Sequence, residues 1–279
     1  MTVPSAEVRT HIDSAITVAV GRVRERTDEL FTSEIASTGN GTAAPFQKLL
    51  FPEGRIFSSF ERSLSASLGK AFDYIAADIA KATYGNGEHD YNLAGTIPSA
   101  ALSRIETIVT RYKQRQGVSP DTTAELAELA PILDSEDADL SRTVKSDVFF
   151  VDHEGYENYL EIKTAMPNYD QCASMKTRIL TIYCMRRLQI PKVRALNVFP
   201  HNPNGMLGVY AWPPLRYFLD PRHDWFARGK KLMGAGLWNF IGNSDETYDE
   251  LLECFYQVSI ARRDELLFLL MNTGTGVPE

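Results

Sequence analysis

The stretch SDVFFVDHEGYENYLEIKTAMPNYDQ, residues 146–171, decides the reading of this chain. Two short runs rich in aromatic and branched residues flank the polar turn HEGYEN, the pattern of a β-hairpin. A carboxylate interrupts each run, Asp147 in the first and Glu161 in the second. Charged side chains depress strand formation and cost free energy on burial unless something compensates them. Side chains alternate across a strand, so Glu161 and Lys163 share one face while Ile162 points the other way. A turn centred near Gly155 sets Asp147 across from Glu161 or Lys163, which gathers two carboxylates and one ammonium at the edge of a sheet. Phe149 and Val151 continue that face. Val148, Phe150, Leu160 and Ile162 are expected to pack on the other.

Two like charges so close repel unless a cation sits between them. Mg²⁺ fits, since it takes carboxylate and carbonyl oxygens and keeps several waters. The Ile162 carbonyl is then a natural further ligand. Lys163 would orient or deprotonate an attacking water, or offset charge on a phosphorane. The bare [DE]-x-K pattern is weak, because a surface hairpin with one Glu–Lys pair gives it too. Here it occurs once, on strongly strand-forming residues, with a basic helix directly after it.

Working outward, AEVRTHIDSAITVAVGRVRERTDELFTSEI has helical spacing, and the glycines of ASTGNGTAAP end it. FSSFERSLSASLGKAFDYIAADIAKATYG repeats apolar residues every three or four positions, with Gly85 just past its end. SALSRIETIVTRYKQRQ and DTTAELAELAPIL read as further helices. A long helix is expected over Gln171–Leu188, a buried strand at VRALNVFP, a turn at HNPNG, a strand at MLGVYAW and a break at the following prolines. DWFARGKKLMGAGLWNFIG and DETYDELLECFYQVSIARRDELLFLL close the chain as helices. This order gives an α/β (α+β) fold with a mixed central sheet flanked by helices, with additional helices at both ends.

Composition bounds the function. The chain has 279 residues, 44% hydrophobic and 23% charged, enough for one large domain or two modest ones. No apolar stretch nears the roughly 20 residues of a membrane helix, and the N-terminus has no signal-peptide core. Cys172, Cys184 and Cys254 are far apart and odd in number, so reduced thiols in a cytoplasmic protein are expected. The histidines form no zinc-type cluster. A net charge of −7 argues against a nucleic-acid partner, but its distribution does not. Asp121–Glu161 holds twelve acids against Arg142 and Lys145, whereas residues 171–200 hold six bases and no acid. An acidic pocket beside a basic surface suits a metal-dependent enzyme acting on a polyanion. A solvated helix face gives the same count.

The run SD…EIK followed by a helix resembles the PD-(D/E)XK nuclease signature, with Ser146 where the superfamily name has proline. EIKTAMPNYDQ, PFQKLLFPEGRIFSSFERSLSASLGKAFDYIA and VFPHNPNG together resemble the TdeIII-type family of type II restriction endonucleases. The resemblance implies a nuclease domain over residues 45–255, with an N-terminal helical segment at 1–44 and a C-terminal helix and tail at 256–279. It implies Asp147, Glu161 and Lys163 as the catalytic set, with Mg²⁺ held by Asp147, Glu161 and Ile162. Glu61, in FERSLSASLG, joins them or merely flanks the core. Lys176 and Arg178 would meet phosphates; for Lys176 a plain surface role is equally open. Asn168 and Gln171 either contact DNA or cap the helix. Asn202 and Asn204 either read bases or form the HNPNG turn, and the turn is favoured. Trp212, Trp225 and Trp238 suit core or interface. The implied activity is cleavage of double-stranded DNA at a short palindrome (GGNCC), leaving 5′-phosphates, by a homodimer whose partner methyltransferase protects the host. A structure-selective or repair nuclease, or an inactive DNA-binding protein, would share the fold.

Overall fold

The computed structural model describes residues 2–33, 52–114, 119–134, 139–163, 166–188, 192–205 and 209–272. The expected break at ASTGNGTAAP lies outside them. Two compact units are present: Met1–Pro4 with Phe72–Glu250, and Ser5–Ala71 with Leu251–Glu279. In the second unit, α1 (Ser5–Ser33) and α8 (Thr247–Asn272) are tied by Arg262, whose guanidinium donates to Thr17 Oγ1 at 2.8 Å and lies 3.5 Å from Asp13. The helix α2 (Pro52–Tyr84) begins one turn earlier than its apolar spacing predicts. It ends as expected, with Gly85 at φ 76° donating its N–H to the Lys81 carbonyl.

The first unit is built on a four-stranded sheet of order β1-β2-β3-β4, with β1 Glu88–Pro98, β2 Asp139–Val151, β3 Glu157–Ile162 and β4 Val193–Val198. The first two pairings are antiparallel and the third is parallel, so the sheet is mixed as expected. The parallel step needs a crossover, and α5 (Tyr169–Met185) supplies it. Before the hairpin come α3 (Ser99–Lys113) and α4 (Thr122–Leu133), whose N-cap Asp121 accepts from the Ala124 N–H. Tyr159, Val193 and Ala195 on one sheet face join α3, α4 and α5 in a single core. On the other face Val148, Phe150 and Leu160 are fully buried, with Tyr84 stacked on Phe150. Both faces are therefore covered.

The hairpin turn spans 152–156, with Gly155 at φ 78°. Asp152 closes it: its Oδ1 accepts from the N–H groups of Glu154 and Tyr156, and its Oδ2 from Arg194 and Arg228. Burial alone would raise this carboxyl, but Tyr156, Arg194 and Arg228 outweigh it and hold it below its ordinary 3.8. The stabilisation it gives is thus complete above that value and is lost as pH falls through the lower folded one. Asp152→Asn is expected to cost about 3 kcal/mol, because two arginines lose their counter-ion. Urea melts on both proteins at pH 7 and pH 3 test it, since the gap between them should shrink at the lower pH.

Several sequence expectations are corrected. β1 has no predicted counterpart, since EHDYNLAGTIP is charged and ends in Gly, Thr, Ile and Pro. The MLGVYAW strand is absent from the described residues 209–212, and 206–208 lie outside the description. The prolines that follow start a helix instead: α6 (Pro213–Phe218) has proline in its first turn, where a missing N–H is harmless. DWFARGKKLMGAGLWNFIG is not one helix. Arg228 and Gly229, at φ 48° and 75°, turn β5 (Phe226–Ala227) onto β6 (Lys230–Lys231), and only α7 (Ala235–Gly242) is helical. Among the described residues no helix is long and apolar enough to cross a membrane.

Candidate active site

β2 and β3 bring the expected trio together. Their ladder pairs Val148 with Leu160, and one more step of the same register sets Asp147 opposite Glu161. Lys163, just beyond β3, reaches back with Nζ 2.5 Å from Glu161 and 3.5 Å from Asp147. Asp147 Oδ2 also accepts from the Ile162 N–H at 2.8 Å, which ties the carboxylate to the neighbouring strand. The site lies on the two inner strands of the sheet, where β3 ends.

The pairing of β1 with β2 is interrupted beside it. The β1–β2 ladder pairs His89 with Val148 and resumes at Tyr91 with Ser146, skipping the step that would join Asp90 to Asp147. Asp90 sits at φ 54°, a conformation Asp tolerates better than most residues, and its carboxylate turns to Lys145 at 2.9 Å. Asp147 keeps 18% of its side chain exposed, whereas Glu161 keeps 7%.

Glu161 points toward α5, where Arg178 forms an ion pair with it. Burial lowers the Arg178 pKa, partly offset by the negative charge of Asp147. Two acids thus face two cations, Lys163 from the hairpin and Arg178 from the crossover helix. The Glu161 Oε2 is buried and, despite the guanidinium beside it, has no aligned hydrogen bond. The Glu161 carboxylate, with Asp147 and the backbone at Ile162, forms a donor set of hard oxygens suited to a hard divalent cation that keeps several waters. No cluster of three or more His, Cys, Asp or Glu side chains with metal-binding spacing occurs among the described residues. Glu61, exposed on α2, belongs to the other compact unit.

The polar residues singled out in the sequence fall into distinct roles. Asn168 and Gln171 form a reciprocal capping box on α5: Asn168 Oδ1 accepts from the Gln171 N–H and Gln171 Oε1 from the Asn168 N–H. Asn202 Oδ1 accepts from the Asn204 N–H, Asn204 Nδ2 donates to the Val209 carbonyl, and Gly205 sits at φ 80°. HNPNG is thus a turn, as favoured. Lys176 requires a correction. Its amine is fully buried, paired with Asp224 at 2.8 Å and with Glu125, and it donates to Thr122 Oγ1. It cannot meet a phosphate from there.

The expected basic surface is corrected on the same ground. Arg186 pairs with Glu157, Arg187 with Asp139, Arg194 with Asp152, and Lys192 donates to the Glu154 carbonyl. The acids of 121–161 and the bases of 171–200 neutralise one another across the fold. Asn197 went unnoticed in the sequence. It pairs in register with Glu161 from β4 and is 1% exposed. The available signal was one polar side chain inside the apolar run from Ala195 to Phe199.

Comparison with known proteins bears on this geometry. The family described as "Type II restriction endonuclease, HinfI" matches residues 8–259. The type II restriction enzyme HgiCII of Herpetosiphon aurantiacus is 28% identical over 236 residues, 83% of each chain. HgiEI, a type II restriction enzyme of the same organism, is 26% identical over 238 residues, 84% of this chain and 83% of its own.

Proposed function

Because this chain belongs to the HinfI family of type II restriction endonucleases and is a site-specific deoxyribonuclease, we propose that it hydrolyses phosphodiester bonds of double-stranded DNA with Mg²⁺ at a short palindrome. The observation that carries the reading is the convergence of Asp147, Glu161 and Lys163 on the inner hairpin, with Arg178 beside them. Asp147 and Glu161 hold the ion, with the Ile162 carbonyl. A bound divalent cation supplies charge stabilisation to the scissile phosphate. Lys163 hydrogen-bonds the attacking water and offsets charge that builds on the phosphate oxygens. Arg178, only partly buried, exchanges its carboxylate partner for a DNA phosphate. The break leaves a 5′-phosphate.

A palindrome read on both strands calls for a two-fold dimer, so the active species is a homodimer. It works in the cytoplasm beside a methyltransferase of the same specificity. GGNCC is the target form the sequence resemblance favours. The test is digestion of a fully sequenced plasmid with Mg²⁺, followed by mapping and end-labelling of the fragments. Discrete bands ending within GGNCC, abolished by EDTA, are expected. Bands at another sequence replace the target. Cutting confined to branched DNA, or no cutting at all, overturns the proposal.

A further inference from the structure

Asn197 has an environment that packing does not explain. It lies on β4 between Leu196 and Val198, both buried, and it is 1% exposed. Its Nδ2 has no hydrogen-bond partner. An unsatisfied buried amide is destabilising, so an apolar side chain of similar shape would suit this strand better. Something must balance that cost.

The parallel register sets Asn197 beside Glu161. Both line one small cavity with Arg178, Ser146 and Tyr159. Its volume is ≈ 10 Å³, about what one water requires. Two polar atoms without an aligned hydrogen bond belong to the residues that share this space: Asn197 Nδ2, and Glu161 Oε2, which also carries the ion pair to Arg178. One accepts and the other donates, so a single water satisfies both.

We propose that Asn197 is a positioning residue of the nuclease site, holding the Glu161 carboxylate through one water so that its other oxygen is presented to the metal. The inference rests on the reading of Glu161 as a metal-holding residue. Asn197 touches neither DNA nor metal; it acts through Glu161. A buried carboxylate beside two cations has several ways to turn, toward Lys163 or toward Arg178. A fixed donor on the β4 side restricts those choices at no cost during the reaction.

The bland reading, a misfit polar residue in a core strand, predicts a different outcome, which makes the test sharp. Asn197→Leu keeps the branched shape and removes the amide. Asn197→Ser keeps a polar group and leaves room for a second water. Each full-length variant is compared with the parent in three measurements: thermal melting, Ca²⁺ binding to the DNA-free protein by calorimetry, and the Mg²⁺ concentration for half-maximal plasmid cleavage. Removing a group that orients a metal-holding side chain typically costs 10–100-fold in metal affinity. Asn197→Leu is expected to melt at or above the parent temperature yet bind Ca²⁺ about tenfold or more weakly, with a matching rise in the Mg²⁺ requirement. Asn197→Ser should recover part of both. Parent-like Ca²⁺ binding and Mg²⁺ response in Asn197→Leu overturn the inference, as does an equal loss in the two variants. Where Asn197→Leu fails to fold, parent-like Ca²⁺ binding in Asn197→Ser overturns it, and a weakening supports it. Glu161→Gln is run alongside. If it cleaves like the parent, the reading of Glu161 falls and takes this inference with it. If it is inactive while Asn197→Leu is normal, only the role of Asn197 falls.

Discussion

Asp147→Asn should lower DNA cleavage about a thousandfold or more while melting like the parent protein. The asparagine keeps an oxygen in the place of Oδ2, so the bond from the Ile162 N–H survives and β2 stays tied to β3. Only the negative charge is lost. A metal site worth several kcal/mol of transition-state stabilisation loses roughly a factor of ten for each 1.4 kcal/mol, which gives the expected scale. Asp147→Ala removes charge and hydrogen bond together and should be equally inactive but less stable. Neither change touches a DNA-reading group, so binding to the target in Ca²⁺ should persist. Rapid-quench cleavage and fluorescence anisotropy on the same preparations measure both. An Asn variant within tenfold of the parent would rule out a metal-holding role for Asp147.

That prediction was available from the sequence because its elements are local. Asp147 and Glu161 lie on adjacent strands joined by a short turn, so strand alternation and a turn near Gly155 were enough to pair them. The crossover helix, the buried β4 and the capping residues were legible for similar reasons. β1 was not. Its residues carry little strand pattern, and its order comes from pairing with β2, whose partner positions lie about fifty residues away. The same limit hid the fate of the bases. A run of six cations without an acid reads as a free surface when only neighbours in sequence are visible. Each finds its acid, or a carbonyl, through the sheet and its helices. Residues 224–242 failed for another reason: Arg228–Gly229 forms a tight turn at positive φ that apolar spacing does not reveal.

Lys176→Met should lower stability by about 3–5 kcal/mol and leave the salt dependence of DNA binding unchanged. The lysine amine is fully enclosed by Asp224, Glu125 and Thr122, and Thr122 Oγ1 itself donates to Asp224 Oδ1 at 2.6 Å. Tyr112 donates to Glu125 from the other side. Methionine fills the space but leaves two carboxylates buried without their cation, the costly way to break such a cluster. Burial lowers the Lys176 pKa, but Asp224 and Glu125 outweigh it and raise the value above its ordinary 10.5. Its contribution is therefore fully present at all pH below that value and is lost only as pH rises through the higher folded one. The gap between parent and variant should stay open across the neutral range. Urea unfolding at pH 7 reads the stability, and anisotropy titrations between low and moderate salt read the slope. Each phosphate contact contributes close to one unit of that slope, so a lysine that met DNA would reveal itself by a drop of about one. A stable variant with a shallower slope would mean that this amine leaves its carboxylates for DNA, and the salt-bridged cluster would then be a latch rather than a core.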